Sequence, residues 1–162
     1  MSETSQRFLL KALHEAGNEI ASAFYRLDER ELGLREREDG WTLRQLCCHL
    51  RDAELDYQAQ LETVLNGHPR RKIKPVDLDL LVEERCYDAA DVESTLYEYS
   101  RLRSDNCYTL AGLWAEDWER SAPHPYRGAV SIDDIAHEMN EHDLEHIWQI
   151  RRIREAGLVG RR

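Results

Sequence analysis

The sequence is poor in chain breakers, with 8 glycines and 4 prolines in 162 residues, and the prolines fall in two places, Pro69 with Pro75 and Pro123 with Pro125. So few interruptions leave room for long helices, and the two proline pairs mark two long connections. It also lacks any apolar run approaching the ~18 residues of a membrane-spanning helix. Its first stretch, Met1 to Ala16, carries Arg7, Lys11, His14 and Glu15 where a signal peptide would be apolar. A cytoplasmic location with no membrane partner is therefore expected. Basic charge is scarce as well: 22 Lys plus Arg against 32 Asp plus Glu leave a net charge of −10. That field repels phosphate backbones and argues against nucleic-acid partners. The cysteines Cys47, Cys48, Cys86 and Cys107 show no C-x-x-C spacing and read as small buried hydrophobes rather than disulfide partners. A Walker A loop, G-x-G-x-x-G, G-x-S-x-G and H-E-x-x-H are all missing, which removes the common nucleotide-binding, serine-hydrolase and zincin signatures.

What is present is helical periodicity. Hydrophobic residues make up 41% of the chain and charged residues 33%, enough for one packed core and a solvated surface, so residues 1–162 are expected to form a single domain. Leu9, Leu13, Ala16, Ile20, Ala23 and Leu27 recur at three- and four-residue steps and predict a first amphipathic helix. Leu43, Leu46, Leu50, Ala53, Tyr57, Leu61 and Val64 predict a second, with Thr42 as N-cap and Asn66-Gly67 as its stop. Asp91 caps a third run through Val92, Leu96, Tyr99, Leu102, Leu110 and Leu113, after a connection in which Leu78 to Val82 suggest a short helical turn. Ser131 and Asp134 form a capping-box-like start for a fourth, through Ile132, Ile135, Met139, Ile150 and Ile153 to Gly157. With no alternating strand pattern, the expectation is an all-α four-helix bundle with long connections between its second and third and its third and fourth helices. The four tryptophans are expected in the core and at helix junctions, and Arg151, Arg152, Arg154, Arg161 and Arg162 beside the dipole of the last helix end.

The chemistry-bearing element is Glu141-His142-Asp143-Leu144-Glu145-His146 on the fourth helix. A four-residue step places His142 and His146 one turn apart on one face, and that face is the apolar stripe. Interior imidazoles need a partner, and a divalent cation is one that neutral imidazoles satisfy. His49, beside the stripe of the second helix, is the candidate third ligand. It lies 7 residues after Thr42, whereas His142 and His146 lie 11 and 15 after Ser131. Were those helices parallel, the axial offset would be on the order of 6 to 12 Å, within reach of modest stagger. Three imidazoles leave open coordination positions, as catalytic sites do, whereas closed structural zinc sites use four protein ligands. The alternative is that these histidines are core residues satisfied by ordinary hydrogen bonds. Glu138, one turn before His142, is a candidate fourth ligand or hydrogen-bond acceptor for a ligand ring, and His137 falls on another face. Arg103 and Asn106 interrupt the apolar stripe of the third helix; Arg103 either holds a substrate carboxylate or pairs with an internal acid such as Asp52 or Glu54, the structural pair being the stronger expectation. Arg70, Arg71, Lys72 and Lys74 read as a solvated basic loop rather than an anion trap.

These residues resemble the DinB-like or YfiT-like helical-bundle family of metal-dependent proteins. The resemblance covers most of the chain and rests on Trp41-Thr42-Leu43-Arg44-Gln45-Leu46 leading to His49-Leu50-Arg51-Asp52-Ala53-Glu54, on Pro123-His124-Pro125 to Gly128, and on His142-Asp143-Leu144-Glu145-His146-Ile147-Trp148-Gln149-Ile150. It implies a divalent metal, zinc or nickel, held by His49, His142 and His146, and a homodimer. It also implies an enzyme whose metal activates a low-molecular-weight thiol for S-transfer, or water for hydrolysis, on a small-molecule substrate. The competing reading is a non-catalytic, stress-related bundle that binds a small ligand or partner around a structural metal.

Overall fold

The computed structural model describes residues 3–68 and 71–159, with Pro69, Arg70, Arg161 and Arg162 outside them. Helix α1 (Glu3–Phe24) buries the face predicted for it, from Leu9 through Leu13, Ala16 and Ile20 to Phe24. Its end is sharper than the apolar pattern suggests, because Arg26 adopts a left-handed φ of 58° that no α-helix continues through. A short helix α2 (Glu29–Leu32) follows, held by a capping box between Asp28 and Glu31. Helix α3 (Leu43–Asn66) starts at a complete capping box, in which the Thr42 hydroxyl accepts from Gln45 N–H and the Gln45 side chain accepts from Thr42 N–H. It stops at Gly67, whose φ of 63° is left-handed and costs glycine little.

The connection that follows contains the short helix α4 (Leu81–Glu84), which overlaps the turn expected at Leu78 to Val82, and a 3₁₀ turn, Tyr87–Ala89. Buried contacts at both ends anchor this connection. Ile73 is buried and its N–H donates to Pro123 O at 2.9 Å, and the buried Tyr87 hydroxyl donates to the Asp52 carboxylate of α3. Helix α5 (Val92–Ala111) is capped by Asp91, whose side chain accepts from Glu93 N–H. A 3₁₀ helix, Ala115–Glu119, leads into a β-hairpin of β1 (Ser121–His124) and β2 (Gly128–Ser131). The strands are antiparallel, with Ala122 opposite Val130 and His124 opposite Gly128. This hairpin corrects the expectation of a strand-free chain: four-residue strands are too short to build an alternating signal. Helix α6 (Ile132–Val159) begins at the Ser131–Asp134 box, with Ser131 N–H donating to Asp134 at 2.8 Å and Asp134 N–H to Ser131 Oγ at 3.1 Å.

The long helices α1, α3, α5 and α6 form the bundle, and the two apolar clusters show how they run. One cluster gathers Leu9 and Leu13 from α1, Tyr57, Leu61 and Val64 from α3, Leu110 from α5, and Ile132, Ile135 and Met139 from α6. The other gathers Ile20 and Phe24, Leu43 and Leu46, Val92 and Tyr99, and Ile147, Ile150 and Ile153. The start of α1 and of α6 thus meets the end of α3 and of α5. Helices α1 and α6 run one way and α3 and α5 the other, an up-down-down-up order. The offset reckoned for parallel second and fourth helices therefore does not apply: α3 and α6 are antiparallel, and it is α3 and α5 that run parallel, which is what their long crossover serves.

Between the two clusters lies a polar layer. Arg103 of α5 donates to both carboxylate oxygens of Asp143 at 2.5 and 2.6 Å, to Glu54 at 2.6 Å and to Leu13 O at 3.0 Å. Asn106 donates to Glu54 Oε2 at 2.9 Å and to the Glu54 carbonyl at 3.0 Å. Gly17 admits the Arg103 side chain, since a Cβ there would meet Arg103 Cγ at 2.8 Å. This layer bonds all four long helices to one another at mid-height.

Other expectations are adjusted at the surface. Cys47 and Cys48 are buried but Cys86 is exposed, at a left-handed turn position with φ 49°. Trp118 is buried, whereas Trp114 and Trp148 are exposed; Trp148 lies on the outer face of α6 with the Arg151 guanidinium stacked 5.3 Å from its ring. Arg151 and Arg152 pair with Glu19 and Glu36 of neighbouring segments at 2.5 and 3.0 Å, side-chain partners rather than the helix dipole. None of the described helices is long and apolar enough to cross a membrane.

Candidate metal centre

Antiparallel packing brings the start of α3 beside the middle of α6, and there His49, His142 and His146 converge. Their Nε2 atoms lie 3.0 Å (His49 to His142), 3.1 Å (His49 to His146) and 3.0 Å (His142 to His146) apart. No other group of three or more His, Cys, Asp or Glu side chains among the described residues is arranged this way.

The donor chemistry suits a cation. The His146 Nδ1–H donates to Gln149 Oε1 at 2.8 Å, which leaves Nε2 of that ring as a bare lone pair. Burial, reinforced by the neighbouring imidazoles, pushes His49 down to about 3 and His142 down to about 2. Burial also lowers His146, against the Gln149 hydrogen bond and the nearby Glu145 charge. The rings are thus neutral at physiological pH. A triangle of imidazole nitrogens about 3 Å on a side cannot satisfy itself with linear N–H···N bonds, because each contact needs a proton aimed along its own edge. A divalent ion with first-row nitrogen distances of ~2.0–2.1 Å would satisfy all three at once. The ordinary core-histidine reading leaves that convergence unexplained.

The surrounding residues fix the rings. Trp41 and His49 meet in a T-shaped contact at a centroid distance of 4.6 Å, as do Tyr57 and His142 at 6.0 Å. Asp143, next to His142, is wholly buried and held by both terminal nitrogens of Arg103, so the polar layer sets the rotation of α6 that turns both histidines toward α3. The trio lines an open cavity of about 950 Å³, whose walls also include Trp41, Pro75, Asp77, Asp79, Tyr126, Glu145 and Gln149.

Several predicted contributors are placed elsewhere. Glu138 pairs with Arg127 of the hairpin turn at 2.7 Å and does not join the histidine cluster. Arg103 and Asn106 are buried in the polar layer and do not line the cavity. Arg103 thus has the structural pairing, with Glu54 and additionally with Asp143. Asp52 is engaged instead by Arg51 at 2.6 Å, Arg85 at 2.5 Å and Tyr87. His137 is exposed, as are Arg71, Lys72 and Lys74, and none of them lines the cavity. The sequence reading gave Gln149 no role of its own, although it stood in the quoted motif three residues after His146, and it missed the walls from residues 75–79 and Tyr126, whose placement depends on long-range loop folding.

A bundle with a three-histidine centre open to one side defines a class, and comparison with known proteins supplies the family. The DinB superfamily profile matches residues 12–150, and the chain belongs to that superfamily. The chain is 30% identical over 127 residues to a protein of Oceanobacillus iheyensis named "Putative metal-dependent hydrolase", covering 76% of this chain and 73% of that one. It is 20% identical over 157 residues to the YuaE protein of Bacillus subtilis, covering 90% and 97%. Among solved structures, YfiT from Bacillus subtilis, described as a probable metal-dependent hydrolase with an unusual four-helix bundle topology, superposes with a TM-score of 0.83 at 21% identity, over 96% of this chain and 87% of that one. A mycothiol-dependent maleylpyruvate isomerase superposes with a TM-score of 0.72 at 10% identity, over 90% of this chain and 60% of that one. The bundle is thus of the DinB/YfiT type.

Proposed function

We propose that this chain is a metal-dependent hydrolase acting on a small molecule, with His49, His142 and His146 as the ligands of one divalent ion, zinc or nickel. The observation that carries the proposal is the convergence of three neutral Nε2 atoms, 3.0–3.1 Å apart, in the lining of an open cavity. A divalent cation held by His49, His142 and His146 would supply Lewis acidity, the chemistry that makes a water nucleophile available at neutral pH. The chain's own residues do the rest. Gln149 holds the proton of His146 on Nδ1 and so keeps Nε2 free for the ion. Trp41 and Tyr57 fix the planes of His49 and His142 by T-shaped contacts. The cavity walls orient the substrate over the trio and limit its size.

A second reading, transfer to a low-molecular-weight thiol in place of water, is supported by the likeness of the fold to the mycothiol-dependent isomerase. One assay separates the two: the metal-loaded protein is given a panel of esters and amides with and without added thiols. Turnover in water alone supports hydrolysis, and turnover that requires thiol replaces it with transfer. Failure of every metal-loaded preparation to turn over any member, with the ion held in a site closed to chelators, favours the non-catalytic binding bundle. We further propose a homodimer, checked by light scattering.

A further inference from the structure

The side chains that line the cavity are one-sided in charge. Asp77 and Asp79 stand on the connection after α3, and Glu145 stands on α6 between two of the histidines, while no lysine or arginine lines the wall. All three carboxylates are exposed, and none forms an ion pair among the described residues. The nearby cations are directed elsewhere: Arg127 pairs with Glu138 at 2.7 Å, and Arg71, Lys72 and Lys74 are exposed to solvent on the same connection without lining the cavity. Two aromatic rings, Trp41 and Tyr126, share the wall with the acids, and Tyr126 is 84% exposed. Carboxylates and aromatic faces together are the chemistry that receives a positive charge. The neutral imidazole trio in the same lining marks where the reacting group of a substrate would sit.

We propose that the substrate is a small molecule carrying a positive charge, a protonated amine or a quaternary ammonium, outside the group that reacts. Asp77, Asp79 and Glu145 are the specificity-determining residues, and anionic molecules are disfavoured by the same charges. This rests on the metal-centre reading and deepens it.

The test uses cobalt(II)-loaded protein, whose visible spectrum reports ligand exchange at the ion independently of turnover. Three hydroxamates of matched length are titrated: ω-aminohexanohydroxamic acid, hexanohydroxamic acid and the monohydroxamate of adipic acid. The expected order is cationic tightest and anionic weakest, the two differing by about tenfold or more. The difference shrinks toward unity at high salt and in the combined Asp77→Asn, Asp79→Asn, Glu145→Gln variant, provided that variant still takes up cobalt. An anionic probe that binds as tightly as the cationic one, or a preference unchanged by neutralising the acids, overturns this inference alone. A protein that takes up no cobalt, or whose cobalt spectrum ignores even the neutral hydroxamate, overturns the open metal centre itself and this inference with it.

Discussion

At the scale of single residues, Arg103 carries the most buried charge pairing, and its removal is expected to be costly. It compensates two buried carboxyls at once, Glu54 at 2.6 Å and Asp143 at 2.5 Å, and burial drives the intrinsic tendency of both carboxyls upward. Arg103→Met leaves those groups in the core without their counter-charge, so a loss of about 3–5 kcal/mol is expected by urea denaturation. Gly17→Ala probes the same contact from the other side. Helix propensity alone would reward alanine by about 1 kcal/mol, but the new Cβ would stand 2.8 Å from Arg103 Cγ, and overpacking of that kind costs about 1–3 kcal/mol. Because Arg103 is pinned by its hydrogen bonds, net destabilisation is expected; a stabilised Gly17→Ala protein would show that the arginine stem yields.

The histidines give a pH dependence with a definite sign. His49, held down at about 3 in the fold, would titrate near 6.5 in the unfolded chain. Its contribution to the stability of the metal-free protein is therefore intact above pH 6.5 and is lost as pH falls from there toward 3, on the order of 1 kcal/mol per pH unit. His49→Leu removes that dependence. Between pH 6.5 and 4 the urea midpoint of the metal-free variant is expected to fall less steeply than that of the wild type, and equal slopes would contradict the buried neutral imidazole.

At the scale of elements, capping decides where the ligands stand. The capping box at Thr42 fixes the first turn of α3, and His49 lies within two turns of it. Thr42→Ala is expected to cost about 1 kcal/mol in stability and to raise hydrogen exchange in that first turn. Unchanged exchange would show that Trp41 and the following packing hold the turn without the cap.

This is also the level at which the sequence was most informative. Thr42, Asn66-Gly67, Asp91 and Ser131 with Asp134 marked helix ends because caps are local chemistry, and the apolar stripes marked the buried faces because a helix repeats its period over many residues. His49, His142 and His146 were legible for the same reason: the residue types stood out against apolar stripes. Helix direction was not legible, since a stripe reads alike in either sense, and the sequence left open whether α3 and α6 run parallel. Nor was the hairpin, whose strands are four residues each, or the Arg103–Asp143 pair, whose partners are 40 residues apart and meet only once the bundle has closed.

At the scale of the whole molecule, the up-down-down-up order explains why the chain needs a long crossover between α3 and α5, and that crossover is put to use. Anchored by Ile73 on the hairpin and by Tyr87 on Asp52, it carries Pro75 to Asp79 to the cavity wall. The hairpin likewise delivers Tyr126. Two apolar clusters hold the ends of the bundle, the Arg103 layer registers its middle, and the three imidazoles stand where α3 and α6 face the open side. Everything proposed about chemistry depends on those imidazoles forming one metal site. The most direct measurement is the metal content of untagged protein by elemental analysis, comparing the wild type with His49→Ala and His142→Ala after identical purification and reconstitution. The account predicts one zinc or nickel ion per chain in the wild type and its loss from both variants, although the substituted residues lie on different helices. Wild-type protein that cannot be loaded, or variants that keep the full complement of metal, would contradict it.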